Sequence, residues 1–322
     1  MPLQIDWERQ LGRRIRLRDL HVFAATVRLG GMARAARELG VSQPAVSEVI
    51  TELEHMLGVR LLDRSPRGVE PTVYGSALLK RSIAAFDELR QGIREIEFLS
   101  DPTAGELRIG CPESIAAGYL RPVIARFAKA HPRVVLDIDT VNTQSFPPKL
   151  RERSLDLVLA REGWPLNEPG LIEDFAIETV CNDKLVVAVG SNNPLARRRK
   201  LNWAALADQP WVLTGDEVWN YRLVAEAFSA HGLGPPTVHM KTLSVHLRAS
   251  MAATSNCITT FPWSVLLFHD QPRLRMLPVE LPSRSWPILA VTLRHRTQSP
   301  LAARFLDSAR ATSRSISGHA PR

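Results

Sequence analysis

Long apolar runs are missing from this sequence. No stretch approaches the roughly 18 apolar residues of a membrane-spanning helix, which excludes an integral membrane protein built of helices. The N-terminal stretch "MPLQIDWERQLGRRIR" carries acids and lacks a continuous apolar core, so it does not read as a secretory signal, and a cytoplasmic location is expected. Cysteine is scarce. Cys111, Cys181 and Cys257 are odd in number, widely spaced and set in apolar runs. That pattern predicts buried free thiols in a reducing compartment rather than a disulfide frame, with redox sensing as the alternative. Also missing are a nucleophile elbow, a His or Cys set with metal-ligand spacing, and a phosphate-binding loop. The expectation is therefore no enzyme, no metal and no cofactor.

What is present is the composition of a folded globular protein: 45% hydrophobic and 23% charged residues over 322. A single core stops growing near about 250 to 300 residues, so at least two domains are expected. The net charge of +8 favours a polyanionic partner. Yet residues 1–75 hold eleven Arg against nine Asp or Glu, so most of the excess lies elsewhere and the charge alone does not prove DNA binding.

The stretch "LRDLHVFAATVRL" places Leu17, Leu20, Val22, Phe23 and Val27 at helical spacing before Gly30-Gly31. "MARAARELG" reads as a short helix packed through Ala35, Ala36 and Leu39 and stopped by Gly40. A third helix follows, with Ser42 as N-cap, Pro44 in its first turn and Val41 able to staple onto Val46. Helix, tight glycine turn and helix form a helix-turn-helix, and the basic "DRSPRGVEPT" after it suits a β-hairpin wing. A generic three-helix bundle is the alternative.

From Thr72 to about Leu99, Leu79, Phe86, Leu89, Ile93 and Ile96 occupy the a and d positions of a seven-residue repeat, broken only by Ser82. This predicts a dimerising linker helix over 72–100, against the alternative of a helix packed on its own domain. "SDPTAG" closes it. Beyond, short apolar strands alternate with helices, a βαβ grammar that predicts parallel sheets covered by helices. The expected layout is a DNA-binding domain over 1–71 and an α/β domain over 105–312. Its lobe I takes 105–180 and 270–312, its lobe II takes 181–269, and a disordered tail covers 313–322. Two lobes joined by two crossings leave a cleft suited to a small ligand.

The stretch "AARELGVSQPAVSEVITELEHMLGVRLLDRSPRGVEPTVYG" resembles the LysR-type transcriptional regulators in its Ala-Ala pair, its "LGVSQPAVS" turn and helix, its "LE..LGV.LL.R" run and its "T..G" step into the linker. "LRIG", "HPRVVLDI", "LRERSLDLVLA" and "NDKLVVAVGSNNPLA" extend the likeness more loosely along the chain. The resemblance implies a winged helix-turn-helix, a linker coiled coil and a two-lobe effector domain similar to type 2 periplasmic binding proteins. It further implies a homodimer or homotetramer acting on double-stranded DNA under a small-molecule effector, with RNA polymerase as a further partner.

On a helical wheel Val46, Val49, Ile50, Leu53 and Leu57 face inward, leaving Pro44, Ser47, Glu48, Thr51 and His55 opposite. Ser47 and Thr51 suit base edges or phosphates, Gln43 suits adenine, and the Pro44 ring suits a thymine methyl, with Ser42 beside them. Glu48 departs from the family pattern of a basic or neutral residue. It either accepts from cytosine N4 or turns aside to an Arg of the preceding helix. Arg34, Arg37, Arg64 and Arg67 are expected to hold phosphates. Arg13, Arg14, Arg16 and Arg18 form either an additional arm or a solvated basic terminus.

For the effector, the resemblance points to residues that follow strands: Ser114, Thr143, Gln144, Ser145 and Arg161 in lobe I, and Thr214, Thr242 and Phe261 in lobe II. Each of them alone could instead cap a helix. Where relatives carry a glycine-rich "G.GI..LP", this chain reads "TSNCITTFPW", with Asn256 and Cys257 in place of backbone-permissive residues. Hydroxyls beside one Arg suggest a small organic anion, with Trp219, Tyr221 and Phe261 hinting at an aromatic one. An exported solute-binding protein and a two-lobe enzyme are the rival classes. The first leaves residues 17–99 unexplained, and the second lacks a chemical constellation.

Overall fold

Helically spaced apolar residues build the first of two units, Met1–Gly92, and strand-helix alternation builds the second, Ile93–Arg322. In the computed structural model the described residues are 15–65, 68–140, 145–161, 171–268, 274–282 and 286–317.

In the first unit, α1 (Leu17–Leu29), α2 (Met32–Leu39) and α3 (Gln43–Leu57) pack around Val22, Ala25, Ala35, Ala36 and Val46. Ala35 and Ala36, both buried, are small enough to let the helices approach closely. Gly40 ends α2 at φ 66°, its N–H directed at the carbonyls of Ala36 and Arg37. Ser42 then caps α3 by accepting from the Ala45 N–H at 3.3 Å. A second cluster, Phe23, Ile50, Leu53, Leu61 and Leu62, ties α3 to the wing. The wing pairs β1 (Leu62–Ser65) antiparallel with β2 (Gly68–Pro71). Glu54 anchors its root, accepting at Oε1 from the N–H groups of Leu61 at 2.8 Å and Leu62 at 3.1 Å. The chain then enters α4 (Val73–Ser100) beside Leu61, where a Cβ on Gly75 would lie 2.0 Å from the Leu61 carbonyl oxygen. No residue but glycine fits that approach.

The second unit takes in the end of α4. Phe98 packs on the core beyond it, and Arg94 pairs with Asp156, so the last two turns of the helix belong to this unit. Lobe I runs through β3 (Ala104–Gly110), α5 (Glu113–Ala116), α6 (Leu120–Ala130), β4 (Arg133–Asp139), α7 (Phe146–Arg151), β5 (Leu157–Arg161), α8 (Leu171–Asp174) and β6 (Phe175–Asp183). Lobe II follows with β7 (Leu185–Gly190), a 3-10 turn at Pro194–Arg197, α9 (Ala204–Ala207), β8 (Trp211–Leu213), α10 (Trp219–Ala230), β9 (Val238–Lys241), α11 (Val245–Thr254), β10 (Thr259–Pro262), α12 (Trp263–Phe268) and β11 (Leu274–Met276). The chain returns to lobe I as β12 (Trp286–Leu293) and α13 (Pro300–Ser317).

The lobe I sheet has the order β4-β3-β5-β12-β6. Its strands alternate faces. Leu107, Ile109, Leu157, Leu159, Ile288 and Ala290 meet α6 and α13, while Val158, Ala160, Leu289 and Val291 meet α7. Lobe II closes around Trp203, Trp211 and Phe228 against Val187 and Val189.

Three expectations are corrected. Parallel pairing holds for β3 with β4 and β5 and for β8 with β9, but β12 and the β10-β7-β11 sheet pair antiparallel. β6 and β7 are separated by Lys184 alone and lie in different sheets, so the chain leaves lobe I without the helical crossover of a parallel repeat, and β12 joins the lobe I sheet on its return from lobe II. The second correction places β11 in lobe II, paired with β7, rather than at the start of the returning lobe I segment. Finally, α13 continues to Ser317, past the position 313 at which a tail was expected. Residues 318–322 lie outside the described residues.

Candidate nucleic-acid interface and ligand cleft

The N-terminal turn of α3 is the exposed end of a well-anchored helix. Val46, Ile50 and Leu53 are buried, whereas Gln43, Pro44, Glu48 and Thr51 are exposed and Ser47 is half-buried. Ser42 spends its oxygen on the cap. The Thr51 hydroxyl donates to the Ser47 carbonyl at 2.8 Å, which leaves its lone pairs as the outward-facing function. Glu48 has no ion-pair or hydrogen-bond partner among the described residues. The acids that do pair are Glu38, with Arg28, and Glu54, whose Oε2 stands 3.9 Å from Arg64. Arg34 and Arg37 are exposed on α2, and Arg34 is steered by a 2.8 Å bond to the Gly30 carbonyl. Arg67, Arg13 and Arg14 lie outside the described residues. Arg16 and Arg18 are described. Arg16 contributes its backbone N–H to the Asp19 carboxylate at 3.0 Å, closing the start of α1.

Along α4 the heptad positions divide. Leu79 joins the core of its own domain, and Phe86 is half-buried with its ring 5.7 Å from that of His21. Leu89, Ile93 and Ile96 are exposed by 50%, 59% and 65%, and Ile83 and Leu99, which the heptad reading passed over, are exposed too. Ser82 is buried and bonds back to the Leu78 carbonyl at 2.9 Å.

Where the lobes join, Arg161 does not present itself to a ligand. Its Nη2 donates to Asp183 Oδ2 at 3.0 Å, its Nη1 to the Trp286 carbonyl at 3.3 Å, and its guanidinium lies 4.3 Å over the Trp286 ring. Asp183 in turn accepts from the Ser264 hydroxyl at 2.6 Å and from the N–H groups of Ser264 and Lys184. Burial lowers the Arg161 pKa, and the Asp183 charge opposes that shift. The group is a buried tie between β5, β6, β12 and α12, so the expectation of an effector-binding Arg161 is corrected.

The other expected positions are dispersed in role. Thr214 donates to Asn220 Oδ1 at 2.6 Å inside lobe II, and Thr242 accepts from the Ser244 N–H at 3.2 Å in the turn before α11. Trp219 stacks on Trp286 at 4.8 Å rather than standing free. Asn256 takes the left-handed conformation at φ 52°, which asparagine tolerates, so this position holds a positive φ without glycine. Ser114 and Ser145 are half-buried at the starts of α5 and α7, and Thr143 and Gln144 lie outside the described residues. Phe261 is fully buried beneath a guanidinium that was not anticipated, that of Arg248 at 4.9 Å.

Arg248 projects from the buried face of α11, shared with Val245, Ala249 and Ala252. Its Nη1 donates to the Thr260 carbonyl at 2.7 Å. Its Nε and the Thr260 hydroxyl are buried without partners. Burial lowers its pKa to about 10, with the charge of Glu113 acting the other way. An arginine in step with three apolar residues of one helix was the sequence signal for this position. Among the described residues no group of three or more His, Cys, Asp or Glu could hold a metal ion.

Two family models match the chain. "Bacterial regulatory helix-turn-helix protein, lysR family" covers residues 17–76, and "LysR substrate binding domain" covers residues 100–314. The transcriptional regulator GbpR of Azospirillum brasilense is 27% identical over 94% of this chain and 88% of its own. The regulator PcaQ of Agrobacterium fabrum is 27% identical over 91% and 93%. Among solved structures, a full-length OxyR variant from Pseudomonas aeruginosa has a TM-score of 0.61 at 20% identity, covering 93% of this chain and 97% of that one. Full-length CbnR complexed with its target DNA has a TM-score of 0.54 at 21% identity, covering 93% and 100%. These structural likenesses are to the fold.

Proposed function

This chain belongs to the LysR family of bacterial transcriptional regulators, and from that premise we propose how its residues divide the work of reading DNA and sensing an effector. Members are DNA-binding regulators with an effector-binding domain, not enzymes. The observation that carries the DNA assignment is the exposed, capped first turn of α3, which holds Gln43, Pro44, Ser47, Glu48 and Thr51 clear of the core. In our reading this turn enters the major groove. Arg34, Arg37 and Arg64, with Arg67 between the wing strands in sequence, hold phosphates on either side and set register without reading sequence.

The second copy of the chain supplies the cover for Leu89, Ile93 and Ile96. Their seven-residue spacing suits a partner helix of the same kind, and burying the exposed part of each contributes about 1 kcal/mol or more. A homodimer, and a homotetramer formed from two of them, follow from this reading, as do a cytoplasmic site of action and RNA polymerase as a contact at the promoter. The small-molecule effector sits between the lobes, near Ser114 and Ser145 on one side and Thr242 and Phe261 on the other.

Genome-wide mapping of the DNA bound by the protein tests the whole reading. Occupancy should concentrate at a limited set of promoters sharing a two-fold-related sequence, and uniform occupancy would contradict it. The operons beside those promoters then narrow the effector.

A further inference from the structure

Two elements from opposite lobes meet at the first turn of α11. From lobe II comes α11, ten residues long, whose first turn carries free N–H groups. Ser244 satisfies one of these, its hydroxyl accepting from the Leu247 N–H at 3.2 Å. From lobe I comes Glu113, the first residue of α5, whose Oε1 stands 3.5 Å from the His246 N–H, too long for a strong bond and short enough to place the carboxylate at the helix start. One turn further along α11, Arg248 is only 3% exposed, holding one carbonyl through Nη1 while its Nε has no partner. The carbonyl it holds is that of Thr260, next to Phe261 on β10.

A buried guanidinium with an unmet donor is costly unless something anionic completes it. Two features here favour a negative charge: the guanidinium and the helix N-terminus. The acid that approaches them is a carboxylate borrowed from the other lobe, and it approaches without closing a short bond.

We propose that Arg248 and the first turn of α11 form a receptor for one small carboxylate, and that Glu113 is a built-in occupant which an incoming carboxylic acid displaces. The inference rests on the reading of the interlobe cleft as the effector site and names the chemistry it takes. The site accommodates a monoanionic carboxylate rather than a dianion, because a single buried guanidinium balances a single charge and the present occupant is itself a carboxylate.

Removing the built-in carboxylate opens a hole that free acetate fits. In full-length protein, Glu113→Ala should show an acetate-dependent rise in Tm, against matched sodium chloride, that saturates at about tenfold lower concentration than any response of the unmodified protein. Glu113→Gln, which keeps the shape and loses the charge, should fall between them. Adding Arg248→Lys to Glu113→Ala should weaken the acetate response about tenfold while keeping the buried charge, and that pair remains informative where a neutral residue at 248 would prevent folding. Identical acetate responses in the unmodified and Glu113→Ala proteins, or a response to chloride equal to that to acetate, would overturn the proposal. Promoter affinity measured in the same samples separates the two levels. Acetate binding with no change in DNA affinity upholds the carboxylate receptor and removes its role as the effector site. An unchanged Tm with effector-responsive DNA binding removes the receptor and leaves the regulator.

Discussion

Arg94, on the last turns of α4, donates from Nη1 to Asp156 Oδ1 at 2.8 Å, and Arg108 grips the same carboxylate from its backbone N–H at 3.0 Å and through Nε and Nη2. Asp156 is nearly fully buried, so the linker helix is held to lobe I by a desolvated carboxylate shared between two guanidinium groups. Removing the hub leaves both arginines unmatched, whereas removing Arg94 leaves the carboxylate with Arg108. Asp156→Ala should therefore cost about 3 to 5 kcal/mol and Arg94→Ala about 1 kcal/mol, read from urea melting of the full chain. Equal losses would mean that the two arginines do not share one anchor.

The seam on α4 yields a different kind of test. Replacing Leu89 and Ile93 together with Asp puts charge where apolar contact is expected, and both side chains are exposed in the single chain, so folding of the chain itself should survive. Sedimentation should then show monomers at concentrations where the unmodified protein is dimeric, with helicity by circular dichroism retained. A dimer that persists at the same concentration would move the interface elsewhere.

The elements that repeat a pattern were legible in the sequence, and those set by long-range partners were not. Val46, Ile50 and Leu53 announce α3 by their spacing, and Gly40 and Ser42 announce its start, because these are local constraints. Arg161 reads as a ligand residue in the sequence because it ends a strand at the first crossing between the lobes, where the family resemblance points to the effector. Its partners Asp183, Ser264 and Trp286 are distant in sequence and meet it only through the sheet order β5-β12-β6 and the passage into lobe II. For the same reason β11 was misassigned: a three-residue strand carries too little pattern to say which sheet it joins. Leu79 fits the heptad as well as Ile93 does, and only packing reveals that its own domain already uses it.

The thiols behave as buried groups. All three cysteines are free and buried, and burial, reinforced by the charge of Asp139, pushes Cys111 from 9.0 up to about 12. A thiol that stays protonated in the folded protein but ionises in the unfolded chain favours unfolding as the pH rises. Its contribution is intact below about pH 8.5 and declines by about 1.4 kcal/mol per pH unit until the folded thiol itself ionises. Stability measured between about pH 8.5 and about pH 10.5 should fall less steeply in Cys111→Ala than in the unmodified chain, once the offset from the lost side chain is subtracted. Parallel slopes would show that Cys111 ionises alike in both states. Native protein at about pH 8 should also leave this thiol unreacted with iodoacetamide.

Glu48 stands exposed on α3 with no partner among the described residues, one turn from Thr51 and adjacent to Ser47. The nearby arginines are otherwise engaged or set apart: Arg28 pairs with Glu38, and Arg34 bonds to the Gly30 carbonyl. With no internal ion pair to hold it, its carboxylate is free to accept from a cytosine N4 amino group, at the cost of repelling phosphates on either side. Glu48→Gln removes the repulsion and replaces a pure acceptor with a group that also donates. Affinity for arbitrary DNA should rise severalfold, and discrimination at one position in each half-site should drop by about 1 to 3 kcal/mol, read from binding to a library of randomised operators. Arg64→Ala provides the contrast, weakening all sequences alike and reducing the salt slope by about 1. A Glu48→Gln protein that keeps the original base preference at every position would place this carboxylate outside the set of residues that read sequence.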